Sequence, residues 1–430
     1  MKVAIVGAGW AGCAAAVEAT RLGHQVTLFE ATRQAGGRAR CVNVSIVGEP
    51  TALDNGQHIL IGAYKESLTL MADLEVDLSA SLLRLPLTLQ FPDGCGLALP
   101  RLPAPLDALA GILSARGWTW RDKLSVLRVA TGWKRRQFQC EAHESVADVC
   151  RGVSPRIMAT FMEPLCVSAL NTPPARASGQ VFLRVMRDAL FAGNGGSNLL
   201  LPRADLGTLM PDAALAWLRK NGAQVFMGSR VKSIAAQNAN WTVAVDAAKD
   251  SGGYDRVVLA CPPGDAARLA EHCGLPCEAW LLLARGLRHE AIATVYAMAP
   301  GIRLRQPMLA LRASEGLPAQ FVFDRGQLGG PAGLLAFVVS ASVGDSATLT
   351  QQVMDQAATQ LNLSDLQVLQ TIVEKRATFA CSPALQRPGL SIAPGLLACG
   401  DYVAGPYPAT LEGAVLSGLQ TARQAGQISR

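Results

Sequence analysis

The sequence of 430 residues lacks any apolar run of the roughly 18 residues that a membrane-spanning helix needs. It also lacks a signal-peptide pattern: Met1-Lys2 leads straight into a strand, so the N-terminus reads as structural and the expected compartment is the cytoplasm. Its 11 cysteines (Cys13, Cys41, Cys95, Cys140, Cys150, Cys166, Cys261, Cys273, Cys277, Cys381 and Cys399) form no CxxC pair and no His–Cys grouping at metal spacing. That pattern speaks against a zinc or dithiol site and for reduced, mostly buried thiols, so no metal is expected. Internal repeats and low-complexity tracts are missing as well. Half of the residues are apolar, which excludes disorder and allows a large core in two or three domains.

What is present begins at once. Lys2-Val3-Ala4-Ile5-Val6 is a short β-branched run suited to a strand buried on both faces. Gly7-Ala8-Gly9-Trp10-Ala11-Gly12 follows, then an alanine-rich helix from Cys13 to Leu22 closed by Gly23, then a second strand, Gln25 to Phe29, ending in Glu30. Gly7 permits the tight turn, Gly9 lets backbone approach a pyrophosphate, and Gly12 lets the helix pack on the strand. The helix N-terminus stabilises phosphate charge, with Ala8, Trp10 and Ala11 completing the loop. Glu30 can accept hydrogen bonds from adenosine ribose hydroxyls, and its charge disfavours a 2′-phosphate. The segment reads as an adenine dinucleotide site.

Two further signals extend it. Gly36-Gly37-Arg38 can fold backbone close to the dinucleotide while Arg38 offers a fork of donors to a phosphate or a flavin edge. The polar turn Asp54-Asn55-Gly56-Gln57-His58 precedes Ile59-Leu60-Ile61. Near the other end, the apolar Gly395 to Cys399 runs into Gly400-Asp401, which can hold a ribityl hydroxyl. Pro408-Ala409-Thr410-Leu411-Glu412-Gly413-Ala414 then opens a last helix, whose N-terminus can stabilise the charge of a reduced flavin.

Together these motifs resemble the amine oxidase and phytoene desaturase superfamily of FAD enzymes. The resemblance implies an α/β fold: a Rossmann-like FAD-binding domain with an inserted α+β substrate domain. Residues 1–75, 200–270 and 390–430 would form the FAD domain, and 76–199 and 271–389 the substrate domain. It also implies that Val231, in Ser229 to Ile234, lies against the adenine, and that Asp255 to Pro263 re-enters the FAD domain. Members with covalent flavin carry a cysteine in the C-terminal motif; Gly405-Pro406-Tyr407-Pro408 has none, so the expected FAD is noncovalent. Thr208 to Asn221 reads as a helix closed by Gly222.

Within the superfamily, Asp54 to Tyr64, Leu201 to Gly207 and Tyr407 to Val415 resemble the squalene-associated FAD enzymes of bacterial hopanoid synthesis, the hydroxysqualene dehydroxylases. This implies a long-chain isoprenoid substrate, reductive loss of a hydroxyl and an electron donor yet to be identified. The leaving hydroxyl needs a proton, and His58, Tyr64, Tyr402, Tyr407 and Glu412 are the candidates, with His58 first and Tyr407 carried beside it. A carotenoid-type desaturase remains open, as does an amine oxidase using Arg203 or a prenyl-binding protein without flavin.

A C30 substrate directs attention to charge. The chain carries +6 overall, and Arg116 to Arg136 holds seven cations (Arg116, Arg121, Lys123, Arg128, Lys134, Arg135, Arg136) against Asp122 alone. Trp118, Trp120 and Trp133 lie among them, a composition suited to peripheral docking on an anionic bilayer or to a solvated helix with aromatic core anchors. No nucleic-acid motif accompanies the cluster, so no nucleic-acid partner is expected.

Overall fold

The computed structural model describes residues 1–46, 49–191, 193–237, 240–245 and 253–426. Its central sheet has six strands in the order Gln224–Phe226, Gln25–Phe29, Lys2–Val6, Arg256–Leu259, Leu396–Ala398 and Ser391–Ala393. All neighbours pair in parallel except the last two, which are antiparallel. Strands buried on both faces must be apolar throughout, and Val3 to Val6, Val26 to Phe29 and Val257 to Leu259 are all buried. Three separate stretches of chain therefore meet in one sheet.

Six helices matter for the site: α1 (Trp10–Arg21), α2 (Lys65–Asp73), α3 (Leu106–Ser114), α4 (Trp120–Arg135), α5 (Gly179–Leu190) and α6 (Leu411–Gly426). Helices α1 and α6 pack side by side, and the alanines of α1 with Gly418 of α6 allow close approach. A Cβ on Gly418 would lie 2.3 Å from the Ala11 carbonyl oxygen. The expected single helix from Thr208 to Asn221 is two, Leu206–Leu209 and Pro211–Lys220. Asp205 caps the first through the Gly207 and Thr208 amides, and Pro211, which has no amide to donate, starts the second.

A second sheet is antiparallel, in the order Met308–Ala310, Phe321–Asp324, Leu334–Ser340, His289–Met298 and Gln367–Phe379. Alternation along His289–Met298 sends Ala293, Val295 and Ala297 into a core with Leu349, Val353 and Ala357 of the covering helix. Thr294 and Tyr296 face the other way, towards Gly56 and Asp54. A small sheet of Leu60–Ile61, Leu199–Pro202 and Leu82–Leu85 joins the two parts. The fold is thus α/β, a Rossmann-like sheet with an α+β part built around it, as expected.

Of the two readings of the tryptophans, Trp118 and Trp133 follow the second and anchor the core. Trp133 donates from Nε1 to the Val149 carbonyl at 2.8 Å and meets Phe182 edge-on, while Trp118 packs against Phe161. Trp120 alone of the three is exposed. Among the described residues, no helix is long and apolar enough to cross a membrane.

Candidate functional site

The glycine loop sits where the central sheet meets α1. A Cβ on Gly12 would lie 1.8 Å from the Gly7 carbonyl oxygen, so only glycine closes this turn. Gly9 precedes α1 with no side-chain cap, and the first turn carries no acid. Among the described residues, the Ala11 and Gly12 amides have no acceptor. Uncapped amides at the positive end of a helix form an anion site. Gly36 lies alongside, its amide on the Ala8 carbonyl at 2.9 Å, and Gly37 faces Gly9 with no side chain between them.

Glu30 ends the second strand as expected. Its Oε2 accepts from the Ala8 amide at 2.7 Å, and its Oε1 from the Thr32 amide and hydroxyl, each at 2.9 Å. A carboxylate has lone pairs beyond these three bonds. The Glu30 carbonyl accepts from the Ser229 amide at 2.7 Å, which brings the start of the strand Val231–Gln237 beside this acid.

Arg38 and Asp401, each expected at the cofactor, bind each other. Arg38 Nη2 donates to Asp401 Oδ1 at 2.5 Å, and Nη1 donates to the Ala377 carbonyl at 2.6 Å. Burial opposes the guanidinium charge, but Asp401 together with Glu374 and Tyr402 outweighs it and keeps the group charged. Asn55 supports the pair, donating to the Arg38 carbonyl and to Glu374 Oε2. Donors of the guanidinium remain for a ligand, since it has five.

At the opposite end, α6 is capped from within. Thr410 Oγ1 accepts from the Gly413 amide at 2.9 Å, leaving the Leu411 and Glu412 amides without acceptors among the described residues. Glu412 is corrected from a candidate proton donor to a structural clamp. Its buried carboxylate accepts from the Glu66 and Ser67 amides and the Ser67 hydroxyl, so that it caps α2. Burial pushes Glu412 up, against these bonds. Tyr64 engages Thr410 and is raised by burial, and Tyr402 is fully enclosed with its hydroxyl unpartnered over Gly400. Tyr407 donates to Asp188 Oδ2 of α5 at 3.0 Å; burial, then Asp188, pushes it up to about 12. Beside it, a cavity of about 730 Å³ opens at Gly405, Pro406 and Pro408, lined also by Phe138, Val181 and Phe379.

His58 stands between these ends and makes no hydrogen bond to a described residue. Burial and the Arg38 charge push it down to about 4, so its imidazole is neutral at pH 7. Gly56, Thr294 and the His58 Nε2 converge on one point, each of the latter two 3.9 Å from where a Gly56 Cβ would be. The Thr294 hydroxyl is buried without a partner, as is the Gln57 Nε2, whose Oε1 accepts from Arg325 at 3.4 Å. Behind them Asp54, pushed up to about 6 mainly by burial, accepts from the Leu206 amide, and Tyr296 donates to its carbonyl.

The orphaned buried atoms of Gln57, Thr294 and Tyr402, the side-chain-free groove between Gly9 and Gly37, and the free first amides of α1 and α6 fit a flavin carried on an anionic tail. The model of the family of flavin containing amine oxidoreductases matches residues 10–425, and the chain belongs to that family. It is a flavin-dependent oxidoreductase.

More particular likenesses follow. Two relatives named hydroxysqualene dehydroxylase, from Sinorhizobium fredii and Rhodopseudomonas palustris, are 26% and 27% identical, each alignment covering 98% of this chain and 97% of the relative. The crystal structure of an oxidoreductase from Methanosarcina mazei matches with a TM-score of 0.71 at 18% identity, covering 98% of this chain and 100% of that one.

Sequence reasoning did not single out Thr294, Tyr296, Asp188, Glu374 or Arg325. Each reaches the site across a long sequence separation, and a buried threonine or aspartate outside a motif carries no local signal.

Proposed function

We propose that the protein is an FAD-dependent hydroxysqualene dehydroxylase, which replaces the hydroxyl of a C30 isoprenoid alcohol by hydrogen and releases squalene and water. The observation that supports this most is the convergence of the three stretches that carry the resemblance. Asp54 accepts from the Leu206 amide, and Tyr64 bonds to Thr410. Their likeness to the two full-length relatives then concerns one place in the molecule, not three scattered ones.

When bound and reduced, FAD would supply the hydride that takes the place of the leaving hydroxyl at the allylic carbon. The residues proposed to hold it are Gly7, Ala8, Gly9, Trp10, Ala11 and Gly12 with Arg38 at the pyrophosphate, and Glu30 and Val231 at the adenosine. Gly37, Gly56, Gln57, His58, Gly400, Asp401, Thr410 and Leu411 serve the flavin end. The segments 1–75, 200–270 and 390–430 together form this FAD domain, and the attachment is noncovalent.

Neutral His58 has a ring N–H to give. Placed at the leaving hydroxyl, it polarises the C–O bond without being an imidazolium acid. Tyr407, kept protonated by burial and by Asp188, is the second donor. Such a substrate dissolves in bilayers, so the protein works peripherally on the inner face of the cytoplasmic membrane, reduced by a separate donor.

Anaerobic product analysis tests the proposal. Purified protein with reduced flavin is expected to convert hydroxysqualene to squalene and to leave phytoene unchanged when an acceptor is supplied. The reverse preference would assign it as a desaturase.

A further inference from the structure

The leucines of α3 face the wrong way for a core helix. Leu106, Leu109 and Leu113 follow spacings of three and four, the period of one helix face, and Leu102 lies just ahead of the helix. That face is in solvent: with Trp120 and Leu124 of α4, these side chains are between 42% and 68% exposed. The inward side of α3 holds Asp107 and Gly111, where a Cβ would meet Leu99 at 2.4 Å, so the helix is seated on its smallest residue. Lys123 joins the two helices, donating to the Leu113 carbonyl at 2.6 Å while its ammonium lies over the Trp120 ring, 5.2 Å from the centroid. The patch is therefore continuous across both helices.

Its rim is basic. Arg101, Arg116, Arg121 and Arg128 are exposed, and none has an acidic partner among the described residues. The acids of the segment from Arg101 to Arg128 are Asp107 and Asp122, both buried. A contiguous apolar surface of this kind on a chain otherwise well packed marks an interaction site. Leucine and tryptophan flanked by unpaired arginines match a bilayer boundary, with acyl chains for the apolar face and anionic headgroups for the rim.

We infer that α3 and the N-terminal half of α4 form a docking surface for an anionic lipid bilayer. The surface differs from the cationic run read in the sequence: its apolar part is α3, and Lys134, Arg135 and Arg136 lie about 20 Å further along α4. Its purpose, access to a lipid-dissolved substrate, rests on the proposed activity; its existence does not.

Flotation with vesicles tests it, using phosphatidylcholine alone and phosphatidylcholine mixed with phosphatidylglycerol, without substrate. Wild type is expected to float with the mixed vesicles. The variant Leu106→Gln, Leu109→Gln, Leu113→Gln is expected to lose roughly tenfold or more in partitioning. Arg116→Gln, Arg121→Gln and Arg128→Gln should each lose about fivefold at low salt, whereas Lys134→Gln, Arg135→Gln and Arg136→Gln should change little. Unaltered flavin absorbance shows that the variants fold. Equal flotation of wild type and the leucine variant would overturn the assignment, as would a wild-type dimer that the leucine variant disperses without any lipid dependence. Flotation without squalene formation would leave the surface standing and overturn only the proposed activity.

Discussion

The helix starts of α1 and α6 face the candidate flavin site from opposite ends, and they are built by different means. At α1 the backbone is bare: Gly9 offers no cap, Gly12 admits no Cβ, and the Ala11 and Gly12 amides point at nothing within the described chain. At α6 side chains meet the demands of the backbone, with Thr410 on Gly413 and Glu412 bridging to α2. The bare end leaves its amides open to an anion, as proposed for the pyrophosphate. The other end is fixed in place by the protein, with only its Leu411 and Glu412 amides left open.

This difference has measurable consequences, greatest at the bare end. Gly12→Ala forces the turn open and is expected to leave less than about a tenth of the flavin bound, read by absorbance of the purified protein. Full flavin occupancy in this variant would break the comparison. Arg38→Met strands the Asp401 carboxylate, which is only 9% exposed, and should cost about 2–3 kcal/mol in denaturant unfolding, Arg38 itself being a third exposed. Adding Asp401→Asn should recover part of that loss, because the stranded charge is then gone.

At the capped end, Glu412→Gln is expected to cost about 1–3 kcal/mol of stability and to leave flavin affinity within severalfold of wild type. A flavin loss as large as that of Gly12→Ala would show that the two ends are not distinct in kind.

The smallest effect is conditional on pH. His58 falls from 6.5 to about 4 on folding, so the unfolded chain takes up a proton in that window while the folded chain does not. Stability from His58 is therefore present above about 6.5 and lost as pH falls towards 4. His58→Gln should flatten this part of the stability profile, by on the order of 1–3 kcal/mol at its acid end. An unchanged acid slope would contradict the burial of His58 beside Arg38.

How far the site could be read in the sequence follows the same division. Gly7 to Gly12 and Glu30 were legible because their demands are local: a turn, a close backbone approach and an acid at a strand end. The α6 start was legible as a motif, but not the use of its parts. Glu412 looks like a proton donor until α2 is placed against it, and Tyr407 gains its meaning from Asp188, 219 positions away. Arg38 and Asp401 were each recognised for a ligand, and neither motif reveals that they share a bond.

The surface tells the same lesson in reverse. Seven cations and three tryptophans drew attention to residues 116–136, yet Trp118 and Trp133 belong to the core. The leucines of α3 carry no such signal in the sequence, because an amphipathic helix normally turns its apolar face inward. Only Gly111 against Leu99 reveals which way this one is mounted.

Noncovalent FAD serving a reduction is tested most directly by one anaerobic single-turnover experiment. Protein loaded with FAD and then reduced is mixed with hydroxysqualene, and after heat denaturation the soluble flavin and the lipid product are quantified. The account expects the flavin to become oxidised, to be released intact as FAD, and to be matched by one squalene per flavin. Flavin that stays reduced with no squalene formed, or that remains attached to the precipitated chain, would contradict it.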